Sequence, residues 1–453
     1  MAMVIFPKFA FNFLIFILTT LPLGNSQPIL NSVEQESVYH LLESLNSNVQ
    51  WRSLFPDDLC SSAPHGVVCD YPTDAITLHI VELNFGYVSD YNPNPTCTPN
   101  STLLDPTLFS SFPHLRKLFF YNCFTHYPVS LPDISRVGSG IEELVFIDNP
   151  ALFGSLTDNI GSMKRLRRLI ITETNVSGEI PAGFGELANL EEATLSRNSF
   201  SGDITEDISK LKKLKVLDLS HNKFTGDLPE SIGGLENLLK LDLSYNGFSG
   251  SIPESMEGLT GLELLDLSEN RFGNCGVPLF LSKMSKLKGL FLSGNELGGV
   301  IPDIWENLRG VEGIGLSRLG LVGEIPSSMG VFLENVSYLG LDNNKLTGEV
   351  PKEFEKLGLL SELNLSNNNL SGRLPFSEGF LGKFGGKLRV EGNIRLCVDE
   401  GVIKSFSRTR GGLVQVKVCN KVENPRYALL YGTSSSYRNS HHIYCLLILF
   451  ILL

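Results

Sequence analysis

From about residue 115 the chain repeats itself, and a repeat of fixed length restricts the fold more than any composition does. The segments LKVLDLSHNKFTG (214–226), LLKLDLSYNGFSG (238–250) and LELLDLSENRFGN (262–274) align without a gap. The key position, N in LxxLxLxxNxL, falls at Cys123, Asn149, Thr174, Asn198, Asn222, Asn246, Asn270, Asn295, Leu319, Asn344, Asn368 and Asn393, at spacings of 24 to 26. In each LxL, side chains alternate, so Leu217 and Leu219 face one way and Asp218 the other. One unit cannot bury its own leucines. Stacked units can, because their strands pair in parallel and their apolar faces join into one continuous core. The 453 residues, 42% hydrophobic, therefore do not divide into three ordinary domains; a solenoid can be any length.

The buried Asn is expected to bond backbone groups of the turn, which cost free energy if left unpaired inside. Thr174 replaces it in part. Leu319 cannot, so that repeat is expected to be weaker or differently turned. After the Asn comes a Gly-x-Ile-Pro element, as in Gly178-Glu179-Ile180-Pro181, Gly226-Asp227-Leu228-Pro229, Gly323-Glu324-Ile325-Pro326 and Gly348-Glu349-Val350-Pro351. Gly admits a tight backbone and Pro pre-sets φ. The unit LxxLxLxxNxLxGxIP resembles the plant-specific class of leucine-rich repeats. The resemblance covers residues 115–396, eleven to twelve units. It implies a leucine-rich-repeat solenoid, an α/β-type repeat array, curved, with a parallel sheet on its concave face and disulfide caps at both ends.

The flanks extend this organisation. Residues 1–26 read as a signal peptide: Lys8, the apolar stretch Phe9 to Leu23, then Gly24-Asn25-Ser26 before Gln27. Residues 27–114 form an amino-terminal capping region. Within it, 32–47 reads as a helix with Ser32 and Gln35 as a capping box and Val38, Leu41, Leu42 and Leu45 on one face. Cys60 and Cys69 lie before the repeats and Cys397 and Cys419 after them, placed to close the two ends of the core; Cys97 and Cys123 make a third candidate bridge and Cys275 is odd. Residues 397–431 are read as a carboxy-terminal cap. Residues 432–453 combine small residues around Ser434, a polar spacer and the apolar run Ile443 to Leu453, the pattern of a lipid-anchor signal. With a net charge of −12, general nucleic-acid binding is not expected. The order of these parts resembles plant receptor-like proteins without a kinase, with the Piriformospora-insensitive group as the nearest fit.

Solvent-facing strand positions on the concave face are the expected binding surface. Lys117, Phe119, Tyr121, Val145, Ile147, Arg168, Ile170, Asp218, Tyr245, Phe291, Arg318 and Tyr338 are its candidates. Phe119, Tyr121, Val145, Ile147 and Ile170 are apolar where the repeat consensus is polar; exposed apolar groups often mark partner contacts, and the alternative is that the amino-terminal flank folds over this cluster and buries it. The run Asp218, Asp242, Asp266 is the ordinary Leu-Asp-Leu-Ser consensus of this repeat class. Basic runs at Arg165, Arg167, Arg168 and Lys210, Lys212, Lys213, Lys215 are read as a solvated face. Sequons stand at Asn100, Asn175, Asn335, Asn364 and Asn369; a glycan on Asn364 would block the later part of the concave face.

No HExxH, GxSxG, Walker-type loop or Cys-x-x-Cys is present, so no enzyme, cofactor or metal site is expected. The resemblance implies an extracellular receptor-like protein at the outer face of the plasma membrane or in the cell wall. It would bind a peptide, protein or wall-derived ligand, act through a receptor-kinase co-receptor, and be held to the membrane by a lipid anchor. A secreted inhibitor like the plant polygalacturonase inhibitors is the alternative.

Overall fold

The computed structural model describes residues 29–62, 66–71, 77–86, 97–98, 104–273, 275–400, 414–419 and 427–430, with 414–416 and 427–430 as backbone only. The signal-peptide segment, Asn100, Ser434 and the apolar tail lie outside the described residues. One long parallel sheet runs through the molecule. Its strands are β1 (Val67–Asp70), β2 (His79–Gly86), β3 (Lys117–Tyr121), β4 (Glu143–Gly154), β5 (Arg168–Gly178), β6 (Glu192–Thr194), β7 (Val216–Asp218), β8 (Lys240–Asp242), β9 (Leu264–Asp266), β10 (Gly289–Phe291), β11 (Gly313–Gly315), β12 (Tyr338–Gly340), β13 (Glu362–Asn364) and β14 (Leu388–Arg389). From β2 onward each strand pairs in parallel with the next, one repeat per step. Repeat-type pairing thus starts one strand before the repeats begin in sequence, and β1 closes that end antiparallel to β2.

Each strand's LxL leucines point into the core, where Leu217, Leu219, Leu241, Leu243, Leu265 and Leu267 are buried. Single 3-10 turns return the chain on the other side, as at Glu206–Lys210, Glu230–Gly234 and Glu254–Gly258. Pro229 and Pro253 precede the last two, where a fixed φ starts a turn and no N–H is missed. A second, lateral ladder joins the segments after the Asn, such as Val322–Glu324 with Lys345–Thr347. Inside, Phe200, Phe224, Phe248 and Phe272 stack in one column with ring centroids 6.3, 5.9 and 6.3 Å apart.

The Asn ladder behaves as its chemistry demands. Asn222 Nδ2 donates to Leu195 O (2.8 Å), Leu219 O (3.0 Å) and Ser220 O (3.1 Å), while its Oδ1 accepts from Phe200 N at 2.9 Å. Thr174 takes over part of this: Val176 N donates to its hydroxyl (3.2 Å), which in turn donates to Asn198 Oδ1 (2.5 Å). At Leu319 the turn is rebuilt. Gly298 and Gly320 take φ of +64° and +74°, Gly298 N donates to Leu319 O (2.8 Å), and Leu319 N and Leu321 N both donate to Asn344 Oδ1.

The capping helix α1 (Ser32–Leu45) buries Val38, Leu41, Leu42 and Leu45, but its cap is not Ser32. Asn31 Oδ1 accepts from Val33 N (2.9 Å) and Glu34 N (3.4 Å), one residue earlier than the capping box places it. Gln35 is then free to hold the next segment, accepting from Leu59 N at 3.4 Å. Disulfides join Cys60 to Cys69, Cys97 to Cys123 and Cys397 to Cys419, with Cα separations of 5.8, 4.7 and 5.1 Å. Cys275 is an exposed free thiol.

Candidate functional site: the concave face and its rim

Ten of the twelve candidate residues lie at strand positions of one face and two, Tyr245 and Arg318, just beyond their strands; they differ in what they offer a ligand. On the first repeats, charges alternate across strands: Lys117 Nζ lies 3.8 Å from Glu143, Arg168 3.5 Å from Glu143 and 2.8 Å from Glu192. Phe119 and Tyr121 are half-buried with centroids 6.4 Å apart, and Ile147 is half-buried beside them. Val145 and Ile170 are only 4% and 8% exposed, which corrects the expectation of an exposed apolar cluster. The reason is register. Phe119, Val145 and Ile170 sit directly opposite one another on β3, β4 and β5, so apolar neighbours about 4.8 Å apart cover each other.

Phe291 is also corrected, at 5% exposure. Its ring lies flat on glycines: a β-carbon at Gly289, Gly313 or Gly315 would come within 3.0, 3.1 or 3.0 Å of it. Tyr338 stands next to it at 6.4 Å, its hydroxyl over Gly340. Asp218 is buried rather than presented: Oδ1 accepts from Ser220 N and Oγ, and Oδ2 from Lys240 Nζ at 2.8 Å.

What the sequence reading caught only in part is the rim. The residue just before each ladder Asn takes positive φ, as Asp148, Glu173, Arg197, His221, Tyr245, Glu269, Arg318, Asn343 and Asn367 do at 53–56°. A non-glycine residue in this region is uncommon and costs backbone strain. Here it turns one side chain per repeat out along a single edge. Along that edge Arg197 pairs with Glu173 at 3.5 Å, His221 stacks on Tyr245 at 4.2 Å and 8°, and Asn367 donates to Asn343 at 2.9 Å. Arg318 reaches Glu269 two repeats away. Gly294 lies between them; a β-carbon there would meet the Glu269 carboxylate at 2.7 Å. Glu173, Glu269, Asn343 and Asn367 were missed as candidates, although the position before the key Asn was readable in every repeat.

The basic runs are partly paired with carboxylates, within and between repeats. Arg167 and Lys215 each hold Glu191 at 2.8 Å, and Lys210 pairs with Asp207 and Glu186. Hydrogen bonds from Arg167 and then Lys215 hold the Glu191 carboxyl down at about 2. A depressed carboxylate contributes stability that is present above its unfolded value of about 4.3 and is lost as pH falls towards the folded value. Glu191→Gln is therefore expected to cost under about 1 kcal/mol at neutral pH, as the pair is partly solvated. In urea unfolding that cost shrinks as pH drops from about 6 to about 2.5; a cost independent of pH would contradict the assignment.

Of the sequons, Asn175, Asn335 and Asn369 are exposed. Asn364 is instead buried, at 7% exposure, and its Oδ1 accepts from Ser366 N and Oγ in the floor of the sheet. Among the described residues no group of three or more His, Cys, Asp or Glu could hold a metal ion. No helix among them is long and apolar enough to cross a membrane.

Comparison with known proteins agrees with this geometry. Leucine-rich-repeat family models match residues 212–272, 286–308, 335–357 and 359–381. Receptor like protein 29 of Arabidopsis thaliana is 34% identical over 31% of this chain and 29% of its own length. Piriformospora indica-insensitive protein 2 of Arabidopsis thaliana is 36% identical over 32% of this chain and 33% of its own. The chain thus matches a third or less of the length of these relatives. The Arabidopsis receptor kinase HAESA, solved with the peptide hormone IDA and the co-receptor SERK1, superposes with a TM-score of 0.57 and 32% identity over 66% of this chain and 48% of that one. Solenoid and matched repeats agree: the chain carries leucine-rich repeats, and over about a third of its length it is similar to plant receptor-like proteins.

Proposed function

We propose that this chain is an extracellular receptor-like protein of the plant cell surface. It binds a peptide, protein or wall-derived ligand on the concave face and acts through a transmembrane receptor-kinase co-receptor in signalling, defence or symbiosis. The observation that carries the reading is the central rim, where Tyr245 is 40% exposed on its His221 stack and Arg318 and Glu269 stand beside it. Aromatic and arginine side chains of this kind dominate the centres of binding interfaces. The HAESA complex, with a peptide hormone and a co-receptor, supports the division of labour. Secretion by the leader at 1–26, glycans on Asn100, Asn175, Asn335 and Asn369, and a lipid anchor added near Ser434 belong to the same reading.

The test is photo-crosslinking on plant membranes. The tagged chain carries a photoreactive residue either in place of Tyr245 or in place of Lys352, which is exposed in a 3-10 turn on the side away from the strands. Adducts from position 245 alone, on a chain that phosphatidylinositol-specific phospholipase C releases, are the expected result. Equal adducts from both positions, or none from 245, would remove the concave-face reading; a chain the lipase leaves in place would remove the anchor.

A further inference from the structure

On β7, β8 and β9, Asp218, Asp242 and Asp266 lie in register, one per repeat. All three are buried, at 7%, 4% and 9% exposure. Each spends one oxygen identically. Oδ1 of Asp218 accepts from N and Oγ of Ser220 at 3.1 and 2.7 Å, Asp242 from Ser244 at 3.1 and 2.7 Å, and Asp266 from Ser268 at 2.9 and 2.5 Å. That contact needs no charge. In the same column on β13, Asn364 makes it with Ser366, at 3.2 Å to N and 2.8 Å to Oγ. The fold thus contains its own neutral version of the site.

What aspartate adds is a second oxygen and a negative charge, and burial penalises the charge. The three strands carry one ammonium between them: Lys240 Nζ, 2.8 Å from Asp218 Oδ2 and 3.8 Å from Asp242 Oδ2. The stack is bounded along the column by Thr194 and Phe291, neither charged. Leu217, Leu241 and Leu265 point the other way, into the core behind the sheet, and at the rim beyond each strand stand His221, Tyr245 and Glu269. Asp242 is the middle member. Burial first, then the carboxylates of Asp218 and Asp266 on either side, push its carboxyl well above the usual range, with Lys240 and the Ser244 hydroxyl opposing.

We propose that the Asp218–Asp242–Asp266 stack is a proton-binding element in the floor of the concave face, neutral at Asp242 in acidic surroundings and loosening the central repeats when it loses its proton. The sign follows from linkage: a carboxyl that binds its proton more tightly folded than unfolded stabilises at low pH, and that contribution is lost as pH rises through the folded value.

Asp242→Asn, which has a natural counterpart in Asn364, removes the titration and keeps the Ser244 contact. Thermal unfolding of both full chains from about pH 4 to about pH 8 is expected to show the parent's midpoint falling relative to the variant's by at least about 2 °C. Midpoints that move in parallel would overturn the proposal. Hydrogen exchange on the unmodified chain needs no variant. After correction for intrinsic rate, the 238–246 segment is expected to gain opening relative to 338–346 as pH rises; a constant ratio would overturn the proposal equally.

Discussion

Asn270→Leu is expected to cost about 3 kcal/mol or more, although leucine is the residue the same position carries naturally at 319. Asn270 is buried, and its Nδ2 donates to Leu243 O (2.9 Å), Leu267 O (3.1 Å) and Ser268 O (3.2 Å). Its Oδ1 accepts from Phe248 N at 3.1 Å. Leucine removes every one of these partners and supplies none, and each buried backbone group left unmet costs roughly 1–3 kcal/mol. The 319 repeat escapes because its turns are different. Gly298 takes positive φ there and sends its N–H to Leu319 O, and Gly320 takes positive φ beyond it. Around Asn270 the corresponding residues are Ser249 and Arg271, neither of them at positive φ. Urea unfolding of the variant checks this directly. A loss under about 1 kcal/mol would mean that water or a shifted turn replaces the amide, and that the Asn ladder is dispensable.

That contrast shows what was legible in the chain before its fold was known. The spacing of Asn198, Asn222, Asn246 and Asn270 determined the repeat length, the strand positions and the stacking, since no other arrangement buries Leu217, Leu241 and Leu265 together. The cysteine pairs near the two ends were readable for the same reason: an open solenoid end exposes its core. Side-chain exposure was not legible. Val145, Ile170 and Phe291 looked exposed because their strand parity points them outward, yet register places neighbours or glycines so that they cover one another. Parity is a property of one strand; cover is a property of three. The helix cap moved from Ser32 to Asn31 for a related reason, because Gln35, which would have completed the box, is engaged by Leu59, 24 residues on. The rim was half legible. Tyr245 and Arg318 stood out by side-chain type, whereas Glu269 and Gly294 matter only because Arg318 crosses the latter to reach the former.

Phe248→Ala is expected to cost about 3–5 kcal/mol, the range for truncating a fully buried aromatic. Phe248 has no exposed surface and is stacked 5.9 Å from Phe224 and 6.3 Å from Phe272. In a globular core neighbours from many directions could relax into the space. In a solenoid each repeat touches only its two neighbours, so a gap in the phenylalanine column removes coupling energy between them and little fills it. The variant is therefore expected to weaken cooperativity as well as stability: its urea transition should broaden as the segments before and after residue 248 begin to unfold separately. Phe248→Leu, which keeps most of the volume, should cost under about 1.5 kcal/mol and leave the transition sharp. A sharp transition for the alanine variant, with its midpoint unchanged, would show that the column is not what couples the repeats. The break has a functional side too. The His221–Tyr245 stack lies before residue 248 and the Glu269–Arg318 bridge after it, so these two parts of the proposed binding rim keep a fixed relation only while this column is intact.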